Sequence, residues 1–266
     1  MNPLIYTVKN RPVIASLVLT LIPVTLLFIT KLLSSTEARL FDWPRLLVLF
    51  ACTGFSVHLL CKWQWFDETG LNKFPWSWNR YWLLASIPFL AISALSLSMV
   101  DLRAAEWSAY RVASWGLSNF STGMFEEVLM RGVVFSILVK AWGTDSKGVM
   151  LAAVTQALIF GLAHLSNLYF MSAVDVIAQV AFATCIGIGF AGLVYLSGSL
   201  WPAILVHSIL NAAGSINDYL MPTMTEVENP GIAGYVVVVA VFFVLAALPG
   251  LLYLKLAAAR QLPLTK

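Results

Sequence analysis

The chain has 266 residues, of which 60% are hydrophobic and only 11% are charged, and its net charge is +3. Because about a quarter of the residues in a soluble domain are charged, this composition excludes an ordinary soluble protein. The small net charge gives no support for nucleic-acid binding. Three cysteines (Cys52, Cys61 and Cys185) lie in or beside apolar segments without metal-ligand spacing, so no disulfide framework is predicted.

Eight apolar stretches of membrane-spanning length follow one another along the chain. They cover about residues 13–33, 46–61, 83–100, 107–139, 149–170, 174–196, 200–220 and 232–256. The first stretch has no small-residue cleavage site, so no removable signal peptide is predicted. The sequence therefore predicts an all-α, polytopic membrane protein of about eight transmembrane helices, organised as a single integral-membrane domain over residues 1–266.

Basic residues in the connections and near the ends of the spans predict the orientation of the chain, because cytoplasmic segments carry their excess. Ten lie on the side of the N-terminus: Lys9, Arg11, Lys62, Lys73, Arg80, Lys140, Lys147, Lys255, Arg260 and Lys266. Five lie on the opposite side: Lys31, Arg39, Arg45, Arg103 and Arg111. Both termini are therefore predicted to be cytoplasmic, in a multi-pass protein of the cell inner or plasma membrane.

The fourth stretch combines unusual length with polar residues. Ser, Asn, Thr and Gly cluster at residues 118–123, which predicts a break in this helix. A helix that resumes after the break would start close to Glu126 and Glu127, and its dipole would favour their negative charge.

Two adjacent carboxylates and a guanidinium follow this cluster, at a depth where each charge costs about 3 kcal/mol or more. Glu127 and Arg131 are four residues apart on one helix face, in the order that favours an ion pair. Glu126 is rotated by about 100° and has no such partner in its own helix. The spacing thus predicts a structural role for Glu127 and a role as a base for Glu126.

Two later stretches carry further pairs at helical spacing, Phe160 with His164 and His207 with Asn211. Taken singly, each histidine is explained equally well by hydrogen bonds inside a membrane helix bundle. Taken together, a carboxylate, two imidazoles and an amide on three apolar helices favour a site for the attack of water on a carbonyl group.

The patterns Glu126-Glu127-x-x-x-Arg131, Phe160-x-x-x-His164 and His207-x-x-x-Asn211 resemble the three motifs of the CPBP intramembrane proteases. This family groups the Ras-converting type of CAAX prenyl endopeptidase with bacterial bacteriocin-processing and immunity proteins. The resemblance covers about residues 120–215, which form the predicted catalytic motif region.

The resemblance implies about eight membrane helices around a hydrophilic catalytic cavity. It implies that Glu126 and His164 activate the attacking water and that His207 and Asn211 hold the oxyanion. Glu127, Arg131 and Phe160 would support these groups. The favoured mechanism requires no cofactor, although Glu126, His164 and His207 also form a three-ligand set suited to a catalytic zinc ion.

The sequence therefore predicts an intramembrane glutamate-type endopeptidase that acts in the lipid bilayer on a membrane protein or peptide, with or without a prenyl group. One alternative is a membrane scaffold or immunity factor of the same fold that binds without cleaving. Another is a proton-coupled transporter, in which buried Glu and His form a relay. No internal repeat is evident, although transporters often contain one.

Overall fold

The structure is a computed structural model that describes residues 8, 10–33, 41–73, 77–221 and 231–259. All regular secondary structure in these ranges is helical. The α-helices are α1 (Pro12–Leu33), α2 (Trp43–Lys62), α3 (Trp82–Ser98), α4 (Ala109–Glu127), α5 (Phe135–Trp142), α6 (Ser146–Ala163), α7 (Ala173–Ser197), α8 (Trp201–Gly214), α9 (Ile216–Leu220), α10 (Gly231–Phe242) and α11 (Leu248–Ala259). Short 3-10 segments occur at Phe66–Thr69, Leu102–Ala104 and His164–Tyr169.

Two π-helical segments join consecutive helices into longer units. Val128–Val134 connects α4 to α5, and Phe243–Ala247 connects α10 to α11. With these joints, each of the eight apolar stretches coincides with one helix or with consecutive helices. Within the described ranges, five units are long and apolar enough to cross a membrane: Pro12–Leu33, Trp43–Lys62, Ser146–Tyr169, Ala173–Ser197 and Gly231–Ala258. α3 is a shorter apolar helix. The predicted all-α, polytopic membrane protein is confirmed.

Apolar side chains cover the outward faces of α1 and α10. Leu21, Ile22, Ile232 and Val236 are each more than half exposed, as a lipid-facing surface requires. The three cysteines are free thiols. Four residues of the charge count that predicts the orientation, Lys9, Arg39, Arg260 and Lys266, lie outside the described residues.

The predicted break at residues 118–123 is wrong, because α4 continues through them to its end at Glu127. The hydroxyl groups there bond back to their own helix instead of interrupting it. Ser121 Oγ donates to the carbonyl of Leu117, and Thr122 Oγ1 donates to the carbonyl of Ser118, each at 2.8 Å. Side chains of this kind satisfy their hydrogen bonds within a continuous helix.

Gly123 is explained by packing rather than by a turn. A Cβ atom at Gly123 would lie 2.6 Å from Ser208 Oγ, so glycine is needed where α8 crosses α4. Glu126 and Glu127 consequently lie at the C-terminal end of α4 and not at a helix N-terminus as predicted. The irregular backbone follows them, in the segment Val128–Val134, and such π-helical turns are frequent at functional sites.

α7 is the central helix, and it packs against α6, α8, α10 and α11. Small residues allow this close approach. A Cβ atom at Gly187 would lie 2.7 Å from Ala157 Cβ, and one at Gly189 would lie 2.7 Å from the ring of Phe89. Because α4 packs against α8 and α6 packs against α7, the three helices that carry the sequence motifs meet around one interior.

Candidate active site

Glu127 and Arg131 form the ion pair that their spacing predicts. Arg131 Nη1 lies 2.9 Å from Glu127 Oε1, and neither side chain has any exposed surface. The guanidinium also lies 3.4 Å from the carbonyl oxygen of Gly187 and 4.8 and 5.4 Å from the ring centroids of Phe160 and Phe190. An anion, a carbonyl and two aromatic faces thus surround this buried cation and compensate its lost hydration.

His207, on α8, links the two neighbouring glutamates. Its Nδ1 lies 2.7 Å from Glu127 Oε1, and its Nε2 lies 3.3 Å from Glu126 Oε2. Because an ionised carboxylate only accepts hydrogen bonds, Nδ1 carries the proton that is shared with Glu127. The ring also packs against Phe190, with centroids 5.0 Å apart. The shorter contact fixes the orientation of the imidazole, and the longer one leaves Nε2 beside Glu126.

Glu126 differs from Glu127 in its access to open space. The Glu126 side chain is 22% exposed, whereas that of Glu127 is fully buried. Glu126 lines a cavity of about 610 Å³, together with Phe160 and His164 from α6 and the turn that follows it. One residue of helical rotation therefore separates a carboxylate that can meet a water molecule from one that cannot.

His164 also lines this cavity, and one of its ring nitrogens is engaged by the backbone. Its Nδ1 lies 2.9 Å from the carbonyl oxygen of Phe160, one helical turn earlier. A carbonyl oxygen only accepts hydrogen bonds, so Nδ1 is the donor, and a neutral ring then keeps its lone pair on Nε2. The edge-to-face contact with the Phe160 ring, with centroids 5.0 Å apart, holds the imidazole further. In a neutral ring of this tautomer, Nε2 is therefore the nitrogen that is left free to accept a hydrogen bond.

Asn211 lies one helical turn after His207 and lines a neighbouring cavity of about 620 Å³. The two cavities share three lining residues, Arg45, Gln179 and Asp218. Glu126 and His164 line the first cavity, and Asn211 lines the second. Most of the predicted site residues thus cluster around Glu127, whereas the Asn211 amide lies at the adjoining cavity.

The cavity around Glu126 extends toward one face of the protein. Its lining includes Lys31 at the end of α1, Asp42 before α2, and Asn167 and Phe170 between α6 and α7. These connections lie on the face opposite to the start of α1 and the end of α11. The lining of the Glu126 cavity therefore includes residues from the side opposite to the termini of the described helices.

No group of three or more His, Cys, Asp or Glu side chains within the described ranges is arranged to hold a metal ion. Of the ligand set considered for zinc, His207 has both ring nitrogens in contact with glutamate oxygens. The third member, His164, keeps Nε2 available, which is all that a histidine ligand needs. In the described arrangement, His207 is therefore the member of this set whose ring nitrogens are both engaged by glutamates.

Two supporting residues escaped prediction from the sequence. Gln156 is fully buried and donates through Nε2 to the carbonyl of Gly187 at 2.8 Å, the same carbonyl that Arg131 contacts. A lone amide within an apolar helix was the available signal for it. Phe190 contacts both Arg131 and His207, but one aromatic residue in an apolar helix carries no signal of its own.

Residues 107–213 match a family model described as Rce1-like type II CAAX prenyl endopeptidase. The match begins just before α4 and ends in α8, so it contains all seven residues singled out from the sequence. It overlaps the predicted motif region at residues 120–215. No curated protein and no solved structure matches the chain.

Proposed function

Because the chain belongs to the CPBP family of intramembrane proteases, we propose that it hydrolyses a peptide bond with a water molecule activated by Glu126 and His164. The observation that carries this proposal is the contrast between two adjacent carboxylates. Glu127 is sealed against Arg131 and His207, whereas Glu126 shares an open cavity with His164. A base has to reach the proton that it abstracts, and only Glu126 meets that condition.

In the proposed reaction, a water molecule lies between Glu126 and His164. The Glu126 carboxylate takes one proton while the water oxygen forms a bond to the carbonyl carbon of the substrate. The resulting tetrahedral intermediate loses its amine when Glu126 returns the proton to the leaving nitrogen, and the C–N bond breaks. His164 accepts a hydrogen bond from the water through Nε2 and orients its attack. Each step uses only groups of this chain, the substrate and water.

The negative charge that develops on the substrate oxygen needs hydrogen-bond donors. We assign this role to His207 Nε2 and the Asn211 side-chain amide. With protons on both ring nitrogens, His207 keeps Nδ1–H on Glu127 and offers Nε2–H to the oxyanion. The two residues lie one turn apart on α8, so their side chains lie on the same face of that helix. Glu127 and Arg131 act as positioning residues for His207.

The substrate class follows from the membrane setting. The chain is an integral membrane protein with a CAAX protease-type peptidase domain, and its substrate is a membrane-associated protein or peptide. We propose the inner or plasma membrane as its location. Comparing membrane proteolysis products by mass spectrometry, from cells with the wild type or Glu126→Gln, tests the proposed function. Products that depend on Glu126 are expected, and their mass would reveal a prenyl group. Identical product sets from the two kinds of cell would refute the proposal that this protein is a protease.

The Asn211→Ala variant is expected to lower the cleavage rate about 10² to 10³-fold, with little change in substrate binding. The reason is that an oxyanion donor strengthens its contact only in the transition state. His207→Ala is expected to lower the cleavage rate in the same way. The double variant is expected to lose less transition-state stabilisation than the sum of the losses in the two single variants, because both residues serve one oxygen. The measurement is steady-state cleavage of a membrane peptide identified by mass spectrometry.

Melting curves of the same variants provide the control. An amide that only links helices contributes about 0.6 kcal/mol, so its loss would shift stability slightly without a selective kinetic defect. An Asn211→Ala protein that cleaves at nearly the wild-type rate would remove Asn211 from the mechanism. Another donor would then have to stabilise the oxyanion.

The orientation of the chain gives a separate prediction. Reporter fusions at Lys266 and in the connection near Arg39 are expected to report opposite sides, with Lys266 in the cytoplasm. The cavity extends toward the connection between α1 and α2, so this orientation directs the catalytic cavity to the extracytoplasmic side. A reporter at Lys266 that is active outside the cell would reverse both assignments.

A further inference from the structure

Two basic residues lie at the outer end of the Glu126 cavity, and the proposed reaction uses neither. Lys31 lies on the last turn of α1, and Arg45 lies on the first turn of α2. Both line the cavity. The Lys31 ammonium group is 4.1 Å from the centroid of the Phe170 ring, and Arg45 Nη2 donates to Thr122 Oγ1 at 3.1 Å.

Thr122 lines the adjoining cavity that contains Asn211, and its contact with Arg45 ties the guanidinium to the helix that carries Glu126. Thr122 precedes Glu126 by four residues in α4, so the two residues share a helix face about 6 Å apart along the axis. Arg45 also lines the adjoining cavity that contains Asn211. A group bound to Arg45 is consequently only a short peptide segment away from a bond held at Glu126.

Within the described part of the chain, neither Lys31 nor Arg45 forms a salt bridge. Three carboxylates line the same cavity: Glu126, which contacts the imidazole on α8, and Asp42 and Asp218. Asp42 accepts a hydrogen bond from the backbone N–H of Arg45 at 3.0 Å and caps α2.

Two cations that line one cavity can both be stabilised by an anion bound there, and charge-assisted hydrogen bonds to a carboxylate are among the strong ones. Apolar side chains of α1 and of the π segment form much of the cavity wall: Val24, Leu27, Phe28, Leu129 and Met130. We propose that Lys31 and Arg45 bind a carboxylate of the substrate peptide while its scissile bond reaches Glu126. This subsite rests on the proposed function of the same cavity.

The carboxylate comes either from a free C-terminus or from an acidic side chain of the substrate. Both have the same chemistry and are separated by experiment. A lipid phosphate fits less well, because Arg45 is hydrogen-bonded inside the cavity wall to the helix that carries Glu126. A lipid headgroup at the outer surface has no need for that contact.

Three tripeptides, with either a free or an amidated C-terminus, serve as probes. Their binding is measured to the Glu126→Gln protein in phosphatidylcholine nanodiscs, because this variant leaves them uncleaved. They are acetyl-trileucine with a free C-terminus, the same peptide as an amide, and an amide with glutamate in the middle position. At least one acidic probe is expected to bind about tenfold or more tightly than the neutral amide. Preference for the first identifies the α-carboxylate, and preference for the third identifies the side chain.

Substitutions assign this preference to the two cations. Lys31→Met and Arg45→Gln are each expected to reduce the preference toward unity, and Arg45→Lys is expected to retain most of it. Lys147→Met provides the matched control, because Lys147 is exposed at the opposite end of the fold. Equal binding of all three probes, or a preference that survives both substitutions, would overturn the subsite. Loss of the preference on adding phosphatidylglycerol would assign the pair to lipid headgroups instead.

The outcomes separate the subsite from the proposed function. Cleavage that depends on Glu126, combined with no preference for acidic probes, would refute the subsite, but the proposed protease function would still stand. A clear preference that depends on Lys31 and Arg45, combined with no cleavage by the wild type, would refute the protease. The binding site for a peptide carboxylate would then remain.

Discussion

Replacing Glu126 with glutamine is expected to lower the cleavage rate at least about 10² to 10⁴-fold and to leave the fold intact. Glutamine has nearly the same shape, but its amide cannot take a proton from water. The side chain is 22% exposed and its described polar contact is the 3.3 Å approach to His207, so little native packing is lost. Cleavage of an identified membrane peptide, measured beside melting curves in detergent, checks both parts.

Glu68→Gln is the matched control for this experiment. Glu68 forms a partly exposed ion pair with Lys140 at 2.7 Å, outside the cavity that contains Glu126. Surface pairs of this kind contribute about 0–1 kcal/mol, so this variant is expected to cleave at the wild-type rate. A Glu126→Gln protein that remains as active as Glu68→Gln would exclude Glu126 as the base.

The Glu127→Gln variant is expected to lose about 3–5 kcal/mol of stability, because it leaves a buried charge without its partner. Glu127 Oε1 lies 2.9 Å from Arg131 Nη1 and 2.7 Å from His207 Nδ1, so one oxygen compensates two groups. The loss should also reduce cleavage, since His207 is no longer held in place. Unfolding in detergent, compared with Glu126→Gln, measures the effect.

The double variant Glu127→Gln, Arg131→Met sharpens this comparison. Removing the guanidinium as well takes away the unpaired charge, so part of the lost stability should return without the return of activity. If Glu126→Gln and Glu127→Gln melt at the same temperature, the division between a structural and a catalytic glutamate is wrong.

The two predictions depend on the different surroundings of two adjacent carboxylates in α4. A rotation of about 100° directs Glu127 toward His207 on α8 and leaves Glu126 at the cavity. The π segment Val128–Val134 follows at once and contains Arg131. The cation therefore approaches Glu127 from a locally widened turn, while Phe160 and Phe190 cover its faces.

The sequence by itself determined the class of protein and the local pairs. Long apolar stretches require helices in a membrane, because every backbone polar group there has to bond within its own segment. The spacing of Glu127 and Arg131 predicted their ion pair, and the structure confirms it. These features depend on helical periodicity, which acts over a few residues and can be read along the chain.

Only the tertiary structure decided the features that join distant segments. Residues 118–123 have the composition of a helix break, yet the approach of α8 to Gly123 and hydrogen bonds within α4 keep the helix continuous. His207 reaches Glu127 across 80 positions of sequence, and Arg45 reaches Thr122 across 77. Such contacts depend on how helices pack against one another, and the period of a single helix carries no information about its neighbours.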